Sequence, residues 1–514
     1  MKKFLSAILS GVLLMALISA CGAAAPQPPA DGNPRGPEGL TGRGIRVASQ
    51  NEPATIAPAM HGAVVSTHKN LMTHNALFRI DYYTLAPVPD LVSHWRALSD
   101  TVFEFTVHEG ILFHNGEELT AYDIEASWRF VRQFAFSAAH ESIVDFYVAD
   151  RYTISVDTGG PNAMLFFDLA HQSNMIAPRS LLEAGHDFNA APIGSGPFEF
   201  REWRAGNYLH FEAFENYFDT ERAARVEHVT WLIIPEGSSR TIALEAGEVD
   251  YIIEVAAGDV ERLDNNPNIS VIAIPSLIHQ HLLLNNDRPQ FNSIHARRAI
   301  GMAINKETVV LAAFGEWAIP TRSQAPAVFS GVTDEGTYSF DPDGARALLL
   351  EHNIDPASLA FNIIVSNEER NIMAEVIAVY LEDIGIPVTI TRRDLATTLS
   401  MTTTGDYEAA FAGFTSASLL GFMRGLFHND FIDQTNRSRI RNQEISALID
   451  RAVITVDPDA REAILNEAVI MANEFTGQIP IYMGTIVSAF NANLIVPEIT
   501  ATGFLNLNMM EWTE

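Results

Sequence analysis

Apolar and polar residues alternate from Thr101 to Val107, which puts Phe103, Phe105 and Val107 on one face of a half-buried strand. The run stops at Glu109-Gly110. Thr120-Ala-Tyr-Asp123 then reads as a capping box opening a helix, with Ile124, Trp128 and Val131 at i, i+4 and i+7. Two further alternating runs, Phe198 to Trp203 and Leu209 to Phe214, flank a turn at Gly206-Asn207 and predict an antiparallel hairpin. Asp341-Pro342 supplies an N-cap and a first-turn proline for a helix that turns Ala345, Leu348 and Leu349 inward. From Asn371 to Asp383 the spacing predicts a helix with Ile372, Val376 and Val379 on its buried stripe, ended by Gly385 and followed by the strand Val388-Thr-Ile390. Strands and helices mix irregularly from Gly44 to Glu514 without an internal repeat, so the pattern predicts an α/β or α+β protein and argues against a solenoid or bundle. Residues from about Leu282 to Tyr482 read as a separate α/β lobe.

The start of the chain has a different pattern. Lys2 and Lys3 precede the apolar run Phe4 to Ala20, which has the form of a secretory signal. It ends in Ile18-Ser19-Ala20-Cys21, which resembles a bacterial lipobox, so Cys21 is expected to become the lipidated N-terminus. Gly22 to Gly39 is rich in Pro, Gly and Ala and predicts a solvated tether. No later segment approaches the roughly 20 apolar residues of a spanning helix. The expected location is therefore extracytoplasmic, lipid-anchored to the outer face of the bacterial cell membrane or in the periplasm.

With 514 residues, of which 47% are hydrophobic and 19% charged, the chain is long enough for several cores. Its 33 basic against 63 acidic side chains give a formal charge of -30, which repels nucleic-acid phosphates and anionic headgroups. The single Cys excludes an internal disulfide, Cys₄ or Cys₂His₂ zinc and iron–sulfur clusters.

Five stretches, in order, carry a resemblance. They are Phe103-Glu-Phe-Thr-Val-His-Glu-Gly110-Ile-Leu-Phe113-His114-Asn-Gly116-Glu-Glu-Leu-Thr120-Ala-Tyr-Asp123; Pro192-Ile-Gly194-Ser-Gly196-Pro197-Phe198; Leu244-Glu-Ala-Gly247-Glu-Val-Asp250; Arg297-Arg-Ala299-Ile300 with Ala303-Ile304-Asn305-Lys306; and Asp341 to Leu349. Together they resemble the solute-binding proteins of the peptide/nickel class of ABC importers, bacterial solute-binding protein family 5, over nearly the whole mature chain. The resemblance implies a bilobal periplasmic-binding-protein-like α/β fold of type II, in its three-subdomain variety, with a discontinuous first lobe and a contiguous second. It divides the chain into a signal peptide at 1–20, a tether at 21–43, a lobe I core at 44–58, 188–278 and 484–514, an inserted subdomain at 59–187, and lobe II at 279–483. It also implies a monomer that captures a peptide or peptide-like solute and delivers it to permease subunits served by separate ATPase subunits, with no cofactor. A nickel, metal-chelate or oligosaccharide ligand is the alternative within the class.

Most motif residues read as scaffold. His114 reads as a turn-stabilising residue, Gly194, Gly196 and Pro197 as backbone-conformation residues, and Asp250 as a cap or local pair. Candidate ligand contacts are Glu52 and His61 beside the loop after the first strand, and Asn75. Further candidates lie on Leu277 to Asn285, which corresponds to the family's crossover strand: Asn285 itself, and His279 and His281. Period-2 geometry puts the two imidazoles on one face, where they can hold a transition metal or its chelate, or simply bond each other. In lobe II, Gly413-Phe414-Thr415-Ser416-Ala417 is similar to the family's "GW..D", in which the Trp packs on the ligand and the Asp pairs with its free amino terminus. Here Phe414 keeps an aromatic and Ser416 a hydroxyl, but Ala417 replaces the carboxylate, so recognition of an amine in that manner is in doubt. Arg424 is a candidate partner for a ligand carboxylate. The remote alternative is an extracytoplasmic serine hydrolase: Ser66-Thr-His-Lys69 fits S-x-x-K, without its companions S-D-N and K-T-G.

Overall fold

Two strands, Ile269–Leu284 and Gln478–Asn491, pair antiparallel in the middle of an 11-stranded sheet that runs through the whole molecule. The structure, a computed structural model, describes residues 36–37, 42–53, 55–57, 64–81, 84–133, 142–497 and 501–513. The signal segment, Cys21, nearly all of the tether and His61 lie outside the described residues.

On one side of this pair the sheet continues through Tyr251–Ile253, Gly44–Ser49, His228–Ile233, Tyr208–Ala213 and Phe198–Arg204. On the other it continues through Ala409–Phe414, Phe361–Val365 and Val388–Arg392, the last two parallel to each other. Each half has its own core. Ile45, Val47, Phe211, Trp231 and Tyr251 anchor the first, joined by Leu505, Leu507 and Met510 of the C-terminal segment. Leu282, Leu284, Phe361, Ile363 and Phe411 anchor the second, beneath the helices Ile294–Ala303, Lys306–Phe314, Pro342–Glu351 and Glu368–Asp383. Three more helices, Leu419–Phe427, Gln443–Ile454 and Pro458–Phe475, pack over another apolar cluster. A separate four-stranded sheet, in the order Val92–Ala97, Val102–Val107, Thr153–Asp157, Asp145–Val148, is covered by the helix Ala121–Val131. The fold is the bilobal type II α/β fold with a discontinuous first lobe. Among the described residues no helix is long and apolar enough to cross a membrane.

Local signals produced the elements they specify. Phe103, Phe105 and Val107 are buried, and Thr120 and Asp123 complete the capping box. The hairpin forms at Phe198–Arg204 and Tyr208–Ala213, and the Asp341 carboxylate accepts from Gly344 N–H at the start of its helix. Gly385, with φ of +88°, follows the helix Glu368–Asp383.

Three readings need correction. The buried face of Glu368–Asp383 is Met373, Ala374, Ile377 and Leu381, whereas Val379 is 68% exposed. The helix starts three residues earlier than the apolar pattern suggested, after an Asn367 cap, and the sheet lies against the neighbouring stripe. Asp250 pairs over long range, taking three hydrogen bonds from Arg46 (backbone N, Nε and an Nη) at 2.7–2.9 Å across two adjacent parallel strands. Gly194 and Gly196 are required by close approach, not by a left-handed backbone. A Cβ on Gly196 would sit 2.5 Å from Met72 O and 2.6 Å from His74 N, and one on Gly194 would sit 2.2 Å from Thr73 O. His114 fastens the same segment, donating from Nε2 to Gly196 O (2.9 Å) and accepting Gly194 N–H at Nδ1.

Because those neighbours are backbone atoms, Gly196→Ala is expected to destabilise the protein by about 1–3 kcal/mol. Gly206→Ala, where the added carbon meets nothing within 4 Å, isolates the cost of a positive φ. Differential scanning calorimetry of both variants should show the larger loss at Gly196; equal losses would refute the close-approach account.

Candidate functional site

Residues from both halves meet at a cavity of about 120 Å³. The helix Val64–Thr73 and the chain after it supply Thr67, Leu71, Met72, His74, Asn75, Phe78 and Arg79 to its wall. Asp90 and Arg222 come from two loops, Phe167 and His171 from the subdomain, and Thr502 and Phe504 to Asn508 from the C-terminal segment. The second lobe contributes Ala417, from the turn between the strand Ala409–Phe414 and the helix Leu419–Phe427.

A buried polar network holds one wall. Asn75 Nδ2 donates to Asp90 Oδ2 (2.9 Å) and to the Tyr217 hydroxyl (3.1 Å), and Asn75 Oδ1 accepts from Ser195 Oγ (3.2 Å). Arg222 donates to the other Asp90 oxygen at 2.6 Å. Burial disfavours the Tyr217 phenolate and raises its pKa. Beside the network, His74 Nδ1 bonds Thr73 Oγ1 at 2.8 Å. Burial pushes the His74 imidazole down to about 3, and that of His114 down to about 4, so both rings are neutral.

Among the described candidates from the sequence, Asn75 alone lines this cavity. Glu52 Oε1 accepts from Trp203 Nε1 and Gly206 N, both at 2.8 Å, and so pins the Phe198–Ala213 hairpin. Asn285 donates to Gly405 O and Tyr407 O and closes a loop of the second lobe. Phe414 packs its ring on Phe422, 5.5 Å between centroids, and Ser416 Oγ accepts from Ser418 N–H before the following helix. Arg424 lies over the Phe431 ring at 5.0 Å. His61 lies outside the described residues.

His279 and His281 are wholly buried beside Phe422, not solvated. His281 Nε2 lies 3.4 Å from the carbonyl of Gln324, which can only accept, so Nε2 carries the hydrogen and also donates to His279 Nδ1 at 2.9 Å. His279 Nε2 then donates to Thr321 Oγ1 at 3.3 Å. Both His279 nitrogens are thereby committed, and a metal would have to displace these bonds. Among the described residues no group of three or more His, Cys, Asp or Glu is arranged to hold a metal.

The S-x-x-K pair is equally withdrawn. Ser66 and Lys69 are 0% and 1% exposed, and neither Ser66 Oγ nor Lys69 Nζ has a hydrogen-bond partner. Lys69 Nζ lies 3.2 Å from the centroid of Trp231, and burial lowers its pKa well below that of a free amine. A nucleophile without its base, sealed from solvent, offers no route to acyl transfer.

The second lobe's share of the wall was legible, because Ala417 stood out as the missing carboxylate. The missed wall residues, Arg79, Asp90, Arg222, His171 and Thr502 to Asn508, come from segments far apart in sequence and have no local periodic or motif signature.

Comparison with known proteins agrees with this geometry. Residues 86–430 match the family described as bacterial extracellular solute-binding proteins, family 5 Middle, and the chain belongs to that family. The glutathione-binding protein GsiB of Salmonella paratyphi A is 22% identical over 444 residues, which cover 81% of this chain and 85% of that one. Among solved structures, the periplasmic binding protein DppA of Helicobacter pylori in complex with peptide STSA superposes with a TM-score of 0.77 at 22% identity, covering 92% of this chain and 99% of that one. NikZ of Campylobacter jejuni in complex with Ni(L-His) superposes with a TM-score of 0.75 at 19% identity, covering 92% and 100%.

The buried imidazoles set an acid limit on this fold. Burial lowers the His281 pKa to about 3, and burial with the neighbouring His281 and Lys306 holds that of His279 well below that of a free imidazole. The unfolded chain takes up these protons near pH 6.5, whereas the folded chain does not. Stability is therefore complete above about pH 6.5 and is lost as the pH falls toward 3. The His281 ring is expected to cost about 2 kcal/mol between pH 7.5 and pH 5. Urea titrations at the two pH values should show His281→Gln losing less than the parent by that amount; identical losses would contradict the assignment of a neutral buried ring.

Proposed function

We propose that this family 5 protein is the substrate-binding component of an ABC importer, capturing a peptide or peptide-like solute between its lobes and delivering it to permease subunits without transforming it. The observation that carries the reading is the cavity walled by Asn75, Arg79 and Thr502 on one side and by Ala417 of the second lobe on the other. A ligand touching both sides favours the closed arrangement by its differential affinity, and closure is what a permease would read. The hinge falls where the strands Ile269–Leu284 and Gln478–Asn491 cross between the lobes, with lobe I as residues 44–58, 188–278 and 484–514, its insert as 59–187, and lobe II as 279–483. Cys21 carries the lipid, and the monomer works extracytoplasmically on the 21–43 tether. A metal-chelate ligand is disfavoured because His279 and His281 already satisfy each other.

Thermal shifts of the refolded, ligand-stripped protein test the reading. Trialanine, N-acetyl-trialanine or both should stabilise it by about 2.7 kcal/mol at 100 times the dissociation constant, and a nickel–histidine chelate should not. Stabilisation by the chelate alone would replace the peptide reading with the metal one. Ala417→Asp should shift preference toward the free-amino peptide by about tenfold, or about 1.4 kcal/mol; an unchanged preference would remove Ala417 from the site. Independently, Cys21→Ser should move the protein from the membrane fraction to the soluble fraction, and retention in the membrane would contradict the lipid anchor.

A further inference from the structure

The cavity has a charge opposite to that of the protein around it. The chain carries 63 acidic against 33 basic side chains, yet Asp90 is the single carboxylate among the cavity residues, beside Arg79 and Arg222. Both Asp90 oxygens have partners in this protein: Arg222 holds one at 2.6 Å and Asn75 the other at 2.9 Å. Arg222 is therefore committed to Asp90 by a short bond, whereas the ion pair of Arg79, with Asp81, is a long one. The nearest acid to Arg79 is Asp81, at 3.9 Å, and Arg79 Nε is buried without a hydrogen-bond partner. His171 accepts Ser173 N–H at Nδ1, so its neutral ring carries the hydrogen on Nε2. The second lobe brings Ala417 and no carboxylate.

Building on the importer reading, we propose that this cavity takes a carboxylate of the solute, with Arg79 as its cationic partner. An ammonium group entering here would have to share Asp90 with Arg222 and Asn75 and would stand beside two guanidinium groups. A carboxylate would meet a guanidinium that has a buried, unpartnered Nε and only a long ion pair with Asp81, and whose planar fork matches it. At about 120 Å³ the space fits an acidic end group, not a whole tripeptide. The role given to Arg424 in the sequence reading passes to Arg79.

Calorimetric titration of the ligand-stripped protein tests this with matched probes: N-acetyl-trialanine as the free acid and as its C-terminal amide, N-acetyl-Ala-Glu-Ala amide, and gluconate beside glucose. The free acid is expected to bind at least tenfold more tightly than the amide. Arg79→Gln should abolish that difference without lowering the melting temperature, and Arg79→Lys should keep part of it. The glutamate peptide distinguishes a side-chain acid from a terminal one: binding as tight as the free acid assigns the site to either source, and binding as weak as the amide assigns it to the chain end. Equal binding of acid and amide, or discrimination that survives Arg79→Gln, overturns the acid site and leaves the peptide reading intact. Gluconate binding over glucose with neither peptide form bound overturns the peptide reading and supports the acid site. Failure of every probe overturns both.

Discussion

Two antiparallel strands that both lobes share are the constraint on which the rest depends. From Ile269 to Pro275 the first pairs with Asn491 to Thr485, and from His279 onward it pairs with Met483 to Gln478. Between Pro275 and His279 the register shifts. Pro275 has no N–H to give, Leu277 N–H leaves the ladder for Ala501 O at 2.9 Å, and Ile278 N–H turns to Ser276 Oγ at 3.1 Å. The sheet thus stays continuous while its central strand pair shifts register here and again between Gln280 and His281. The hydrogen bond to Ala501 ties this break to the cavity, because the next residue, Thr502, is part of its wall. The shared strands and the cavity wall are thus joined through one short segment.

Buried polar groups fix the second lobe against that axis. Arg297 is 3% exposed and has no acid partner; it donates to the carbonyls of Phe475 and Thr476 at the end of the helix Pro458–Phe475, and to Phe291 O. Those carbonyls have no partners within their helix, and the negative end of its dipole favours a cation there. Burial lowers the Arg297 pKa to about 10, which leaves it charged at neutral pH. Asn473 bridges the same helix to Gln324 N and to the carbonyls of Thr333 and Glu335. Gln324 in turn receives His281. The imidazole pair is thus one link in a chain of polar residues that docks the Thr321 to Glu335 segment on the sheet, which accounts for two histidines in a dry interior.

The parts of the fold legible in sequence are those decided within a dozen residues. Thr120 and Asp123 cap a helix whatever lies around them, and alternation at Phe103, Phe105 and Val107 needs one apolar partner layer of any kind. Where the deciding partner is distant, local pattern misleads. Ile372, Val376 and Val379 form a plausible stripe, but the sheet lies against Met373, Ala374, Ile377 and Leu381. Asp250 reads from sequence as serving its own turn, but the parallel strand bearing Arg46 supplies its partner. Gly194 and Gly196 suggest a special backbone, and only the end of the helix Val64–Thr73 reveals that they make room for other chain. For the site, Asn75 and Ala417 were found because each sits in a motif; Arg79 and Arg222 were missed because nothing local distinguishes an arginine that faces a cavity from one in solvent.

That division has a physical cause. Motif residues such as His114, Gly196, Arg297 and Asp341 satisfy backbone groups or admit close packing, and such demands are the same whatever solute is carried. The cavity instead borrows side chains from a short strand, two loops and the C-terminal segment, elements whose backbone is held elsewhere. Exchanging a side chain there changes the charge in the cavity without removing a cap or a close contact. Ala417 is such an exchange against the family's usual carboxylate. It leaves the second lobe's part of the wall without an anion while Asp90 stays bonded to Arg222 and Asn75, and on the acid-site proposal the sign of the space rests on Arg79. On a scaffold built this way, ligand charge follows from a few residues outside the motifs, and fold-level likeness to peptide-bound or nickel-bound relatives is compatible with either.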